Sequence, residues 1–387
     1  MLVATGLALA TACTPPDDAT HRAVSLGFED VAGQDRPDLT QIADELAAVE
    51  ATAVHLAAGR VEWTTFPWPD HPEAWSAAVS EAIEEGGSGD LLGEAITHLA
   101  GGGLETQDAS PGGPEREVVL TIDALVPSLI AQDATLAGVT ANGEASDLFA
   151  SAAALAEGEV GDRLVAMAEH LARTYRPEAI TVTELMFDDA TFSEQDLALY
   201  RRMTGESDWP RDDGGAIDEE AAEIGAWRSQ VLADLLTRMR ERVAPHGVAL
   251  AVDVRADWED PVRGRAQSGH DLTILGDAVD RFILWNYPGL VGRTGAESAD
   301  LTAGLAAGGV DPDRVTVSVG LWAAQGEGAG VDADLASSQS GDGVLPVAQF
   351  ADAVAASATS GVTAVAVTPR SLMTPGHWEA LRGLWAP

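Results

Sequence analysis

The feature that most constrains this chain is an eightfold repeat: a short β-branched run, a polar connection, then an Ala/Leu/Glu-rich helical stretch. The runs are Val24 to Glu29, Ala53 to Gly59, Glu117 to Asp123, Ala179 to Leu185, Val248 to Arg255, Arg281 to Tyr287, Arg314 to Trp322 and Val362 to Thr368. Helical periodicity falls between and after them, over Leu39 to Val49, Ala74 to Glu85, Gly161 to Tyr175, Ala221 to Val243, Ala299 to Ala307, Val347 to Ser357 and Gly376 to Leu384. Alternation of this kind makes parallel strands joined by right-handed crossovers. Eight such units close on themselves, so the expected fold is a single-domain α/β protein, a (β/α)8 barrel of the TIM type.

The pattern inside the runs favours a barrel over an open doubly wound sheet. Large apolar residues take every second place: Val24, Leu26 and Phe28 alternate with Ser25, Gly27 and Glu29, and Val315, Val317, Val319 and Leu321 with Thr316, Ser318, Gly320 and Trp322. In the fifth run Ala249, Ala251, Asp253 and Arg255 share one face. A barrel strand presents one greasy face to the helices and a small one to a tapering interior. Strands of an open two-sided sheet read instead as continuous apolar runs.

Three connections are long, Arg60 to Arg116, Ala124 to Glu178 and Met186 to Gly247, so the loops after strands two, three and four are expected to wall the functional mouth. The Gly/Ser-rich stretch Gly326 to Gly343 reads as a flexible loop after strand seven.

In barrels of this type chemistry sits at the C-terminal strand ends. Here those ends carry Glu29 and Asp30 (strand one), Arg60, Glu62 and Trp63 (two), Asp123 (three), Glu184, Asp188 and Asp189 (four), Asp253 and Arg255 (five), Trp285 and Tyr287 (six), Trp322 (seven) and Arg370 (eight). Buried carboxylates need partners or a function. Arg60, Arg255 and Arg370 are placed to hold some acids ionised, and a carboxyl left in a drier spot is pushed toward the range of a general acid. Sugars offer C–H faces to aromatic rings and hydroxyls to carboxylates, so acids mixed with Trp compose a carbohydrate cleft. Glycosidic cleavage needs two carboxyls. Glu184 or Asp189 is expected as the proton donor and Asp253 or Asp123 as its partner, with Asp188 beside them; the Arg, Trp and Tyr residues and Glu29, Asp30 and Glu62 are expected to contact substrate. A barrel that binds glycan without cleaving it is the alternative reading.

His55, on the inward face of run two, reads either as a group orienting an acid or as a hydrogen-bonded core histidine. His270, beside Asp271, reads as a cap or loop contact. No zinc, EF-hand, nucleotide or Gly-x-Ser-x-Gly motif occurs, so no metal or cofactor is expected.

The chain holds 22 basic residues, all Arg, against 62 Asp plus Glu, for a net charge of -40. That charge repels nucleic acid and anionic membranes. The expected state is a monomer whose partner is a carbohydrate. Met1 to Ala12 is apolar and small, and Leu9-Ala10-Thr11-Ala12-Cys13 resembles a bacterial lipobox. The expected organisation is a lipoprotein signal over 1–13 with lipid on Cys13, a tether over 14–21 and the barrel over 22–387. The chain would then stand on the outer face of the cytoplasmic membrane, where a protein with one cysteine forms no internal disulfide.

The segment Ile180 to Pro210 carries Thr183-Glu184-Leu185, Phe187-Asp188-Asp189-Ala190, Leu199-Tyr200-Arg201, Thr204-Gly205 and Trp209-Pro210. It resembles the fourth-strand region of extracellular glycoside-hydrolase-like barrels of bacteria. The Phe-Asp-Asp-Ala piece is similar to a motif of the hydrolase domain in poly-N-acetylglucosamine processing proteins, and the resemblance implies a catalytic role for Asp188 or Asp189. Trp285-Asn286-Tyr287 and Gly320-Leu321-Trp322 are similar to later strand ends of the same group. Many retaining barrel glycosidases carry a nucleophilic Glu at strand seven. Gly320-Leu321-Trp322 offers no acid there, which leaves an inverting enzyme, a nucleophile on another strand, or a barrel without catalysis.

Overall fold

The computed structural model describes residues 19–33, 37–101, 115–324 and 343–386; the Cys13 lipobox, residues 14–18 of the tether and almost the whole Gly326 to Gly343 stretch lie outside the described residues, and His21, expected to end the tether, already opens the first strand. Eight strands form the barrel: β1 (His21–Leu26), β2 (Ala53–Arg60), β3 (Glu117–Asp123), β4 (Ala179–Thr183), β5 (Ala249–Arg255), β6 (Arg281–Asn286), β7 (Val315–Gly320) and β8 (Ala364–Thr368). Every adjacent pair is parallel. Closure comes from β8 pairing back onto β1, with Ala23 opposite Ala366 and Val24 opposite Val367.

The period-two pattern explains the layering. Val24, Leu26, Val54, Leu56, Ile180, Val182, Leu250, Val252, Val317, Val319, Val365 and Val367 point outward, essentially without exposure, into one continuous core shared with the helices. Their alternates are small or polar and fill the interior. Ala23, Ala53 and Ala366 pack together low in the barrel.

The helices follow the sequence periodicity closely, over Leu39–Ala48, Glu159–Tyr175, Ala222–Val243, Ser298–Ala307, Val347–Ser357 and Pro375–Trp385. The expected Ala74 to Glu85 helix is divided. A short turn at Pro72–Ala74 ends first, and Ser76 then caps the helix Ala77–Glu84 by accepting from Val79 N at 3.2 Å. A hydroxyl that competes for backbone donors restarts a helix in this way.

The long connections are structured. After β3 come a helix, Pro127–Gln132, and an antiparallel pair, Ala137–Val139 with Ala145–Ala150. After β4 comes the helix Glu194–Thr204, capped by Ser193 and ended by Gly205 at φ 82°. Its buried Asp196 accepts from Ala153 N at 2.9 Å, tying the two connections together beside the mouth. Among the described residues no helix is long and apolar enough to cross a membrane.

Candidate active site

The site begins with an irregularity in β2. The register with β3 slips between Ala57 and Gly59, and Gly59 adopts φ 147°, where a Cβ would sit 2.4 Å from the carbonyl oxygen of Trp63. Bulges of this kind re-aim the next side chain. Arg60 is turned onto Asp123, with Nε and Nη2 each 2.8 Å from Oδ2, while Oδ1 accepts from Leu125 N at 2.9 Å. Burial nonetheless raises the Asp123 pKa, against the opposing pull of Arg60.

The turn after β4 is strained. Glu184, Asp188 and Asp189 all lie in the left-handed region, at φ 56°, 46° and 63°. Non-glycine residues are held there only when their surroundings demand it, and such strain concentrates at functional sites. The demand is visible. Leu185, Met186 and Phe187 are buried between these residues, and His270 Nε2 pairs with Leu185 O at 3.0 Å while its Nδ1 accepts from Arg255 N at 3.0 Å. His270 is therefore the loop contact expected of it, joining the β4 turn to β5.

The turn leaves Glu184 only 6% exposed. Its pKa is pushed up to about 8, first by burial and then by the nearby charge of Asp123, with Arg255 opposing and Asp253 adding. Asp188 and Asp189 take a different course. Asp188 Oδ1 lies 2.9 Å from Arg255 Nη1, and Asp189 Oδ1 lies 3.4 Å from Nη1 of the fully buried Arg228. Neither aspartate lines the cavity. Both anchor the turn that presents Glu184.

Asp253 stands on β5 one strand from Thr183, and Thr183 is level with Asp123 on β3. Three neighbouring strands thus bring Asp123, Glu184 and Asp253 to one end of the barrel. Burial raises the Asp253 pKa to about 6, although Trp285 Nε1–H donates to Oδ2 at 3.1 Å and Thr183 also bonds it. Beside Asp253 an aromatic wall begins. Trp285 and Tyr287 stack at 5.3 Å and 10°, and Tyr287 meets Trp322 at 5.2 Å. Burial keeps the Tyr287 hydroxyl protonated, with its pKa raised well above the ordinary value.

The wall also explains the missing acid at strand seven. A Cβ on Gly320 would fall 2.3 Å from Tyr287 Cδ1, so the ring fills the space into which a side chain at Gly320 would project. Together these groups line a cavity of ≈ 470 Å³ that opens at the C-terminal strand ends and reaches down to His55 and Thr181.

Seven expected residues share this cavity: Glu29, Asp123, Glu184, Asp253, Trp285, Tyr287 and Trp322. Others are used elsewhere. Asp30 and Glu45 clamp Arg370 at 2.8 Å and 2.7 Å, forming an ion cluster in which Asp30 is buried and the other two are half-buried. Glu62 accepts from Leu129 N at 2.9 Å near the start of a helix, and Trp63 packs edge-on against Phe28. Arg60 and Arg255 are committed to Asp123 and Asp188 and stay outside the lining. His55 lines the floor, and its Nε2 has no partner among the described residues, contrary to a hydrogen-bonded core histidine. Thr181, Thr183 and Ser318 also line it, small inward residues whose only signal in the sequence is their alternation with Val182 and Val317 or Val319. Among the described residues no group of three or more His, Cys, Asp or Glu is arranged to hold a metal ion.

The closed barrel of eight parallel strands ringed by helices is a (β/α)8 fold of the TIM type. It is similar in structure to the glycoside hydrolase domain of PgaB (BpsB) from Bordetella bronchiseptica, with a TM-score of 0.65 at 17% identity over 94% of this chain and 98% of that one. It is also similar to the catalytic domain of beta-amylase from Paenibacillus polymyxa, with a TM-score of 0.55 at 10% identity over 95% and 98% of the two chains. No family model and no curated protein matches the chain. At these identities the likeness is one of fold.

Proposed function

We propose that this protein is a glycoside hydrolase acting on an extracellular or cell-envelope polysaccharide by carboxylate acid and base chemistry. The observation that carries the reading is the meeting of Asp123, Glu184 and Asp253, from three strands, with the Trp285–Tyr287–Trp322 wall in one cavity. The environments separate the acids' roles. Glu184, raised to about 8, holds its proton at neutral pH and is the donor to the leaving glycosidic oxygen. Asp253, at about 6, is mostly ionised there, held by Thr183 and the Trp285 indole. It stabilises positive charge developing at the anomeric carbon, and activates water or attacks directly according to its separation from Glu184. Asp123, ion-paired with Arg60, lends the negative field that keeps Glu184 protonated.

The test is Glu184→Gln against a panel of polysaccharides. Loss of turnover with retained binding supports the enzyme; a wild-type protein that binds glycan but turns none over supports a binding barrel instead. We also propose lipid attachment at Cys13, holding the barrel at the outer face of the membrane. Labelling with a radioactive fatty acid, absent in Cys13→Ser, checks it.

A further inference from the structure

Beneath the acids the cavity continues into the barrel, lined by small neutral residues, Ser25, Ala57, Thr121 and Ser318, together with His55 and Thr181. The packed trio Ala23, Ala53 and Ala366 closes the interior below. Thr181 precedes Thr183 by two residues on β4, and Thr183 is level with Asp123. Two residues of strand cover about 7 Å, or about 5 Å along the axis of a barrel with tilted strands. The floor therefore lies about the depth of one sugar ring below the acids.

Two atoms on this floor are buried without a hydrogen-bond partner among the described residues, His55 Nε2 and Thr181 Oγ1; their residues are 6% and 2% exposed. Buried polar groups of native proteins are nearly always served, and an unserved one inside a cavity points to the ligand that serves it. Burial, with His21 and Arg281 adding, pulls the His55 pKa down to about 3 and keeps the ring neutral. A neutral imidazole and a hydroxyl match a sugar hydroxyl, and neither supplies the charge that a carboxylate or phosphate would demand.

We propose that the barrel interior is a closed subsite for the terminal sugar of a glycan, whose hydroxyl edge bonds His55 Nε2 and Thr181 Oγ1. The inference rests on the glycosidase reading above and extends it. A chain seated on this floor leaves only upward, past the carboxylates, so cleavage releases one sugar at a time. Each turnover adds one water across the glycosidic bond, its hydroxyl to the anomeric carbon and its proton, by way of the carboxyls, to the leaving oxygen.

The experiment measures binding of glucose, glucosamine and N-acetylglucosamine by calorimetry to the wild-type protein, Thr181→Val and His55→Gln, and follows the products from end-labelled oligosaccharides. Thr181→Val keeps the side-chain shape and removes only the hydroxyl; His55→Gln is the second probe should the first fail to fold. Each folded variant is expected to bind the preferred monosaccharide about fivefold to tenfold more weakly, the loss of one neutral hydrogen bond. Monosaccharide is expected as the first product of the wild type. Unchanged affinity in the variants, or early internal fragments, overturns the terminal subsite and leaves the glycosidase reading intact. A wild-type protein that binds none of the three sugars and cleaves no glycan overturns both.

Discussion

Replacing Glu184 by Gln tests the electrostatics of the site without requiring any substrate. The folded protein holds the Glu184 pKa at about 8 against an ordinary value of 4.5, because burial and Asp123 disfavour the charge. Between those two pH values the folded state binds more protons than the unfolded chain, so stability must fall as pH rises. The contribution of the protonated carboxyl is fully present below pH 4.5 and is lost as pH climbs through about 8. Each pH unit inside the window is about 1.4 kcal/mol. Gln is close in shape to the protonated acid and does not titrate, so the variant escapes the loss. Relative to wild type, Glu184→Gln is expected to be near neutral at pH 4, more stable by about 3 kcal/mol at pH 7, and by about 5 kcal/mol above pH 9. Urea unfolding at several pH values reads this difference directly, and the raised pKa of Asp253 cancels because both proteins carry it. A difference that does not change with pH, or a wild type more stable than the variant at pH 8, refutes the account of Glu184 as a buried, protonated acid. A gain in stability joined to loss of turnover is the signature of a site that trades folding energy for function.

Turnover is expected to rise through about pH 6 as Asp253 ionises and to fall through about pH 8 as Glu184 loses its proton; in Asp253→Asn the acidic limb disappears from whatever rate remains, and an unchanged limb assigns it to another group. Gly320→Ala drives a methyl into the Tyr287 ring, so about 1 to 3 kcal/mol of stability and much of the glycan affinity should be lost together; unaltered thermal unfolding would mean the wall is not packed as described. Arg370→Ala leaves Asp30 buried and uncompensated, and is expected to cost about 3 kcal/mol in chemical unfolding while sugar affinity holds. A selective loss of affinity there would restore Arg370 to the substrate-binding set.

The barrel was legible because its signal is repeated eight times. The alternation of Val315, Val317 and Val319 with Thr316 and Ser318 assigns inside and outside, and the structure follows it. The site was legible only as a set of strand ends. Asp123, Glu184 and Asp253 could be proposed because closing a barrel brings every strand end to one rim. Which acids face the cavity depends on local turns that the alternation does not encode. A bulge at Gly59 aims Arg60 at Asp123, and a left-handed turn puts Glu184 inward while sending Asp188 and Asp189 to arginines. Asp30 and Arg370 are ambiguous for a related reason: a structural ion cluster and a substrate clamp use the same residue types. Of the floor only His55 stands out in the sequence, because Thr181 and Ser318 are small, and small residues inside a barrel read as filler.

The turn after β4 leaves one disagreement that experiment can resolve. The likeness of Phe187-Asp188-Asp189-Ala190 to a hydrolase motif implies that one of the two aspartates is catalytic, whereas the geometry gives Asp188 to Arg255 and Asp189 to Arg228, outside the cavity. Arg255 is the deciding group. Its Nη1 is held by Asp188, its Nε and Nη2 have no hydrogen-bond partner among the described residues, and its charge already lowers the pKa of Glu184 against burial and Asp123. Without the Asp188 carboxylate, Arg255 has one counter-charge fewer and its pull on Glu184 strengthens. On this account Asp188 is a positioning residue. Asp188→Asn should shift the alkaline limb of the pH profile to lower pH while leaving substantial turnover at the new optimum. If Asp188 touches the reacting atoms instead, turnover falls by orders of magnitude at every pH and the limb does not move. Measuring the whole profile, rather than the rate at one pH, separates the outcomes, because at pH 8 alone both would appear as lost activity.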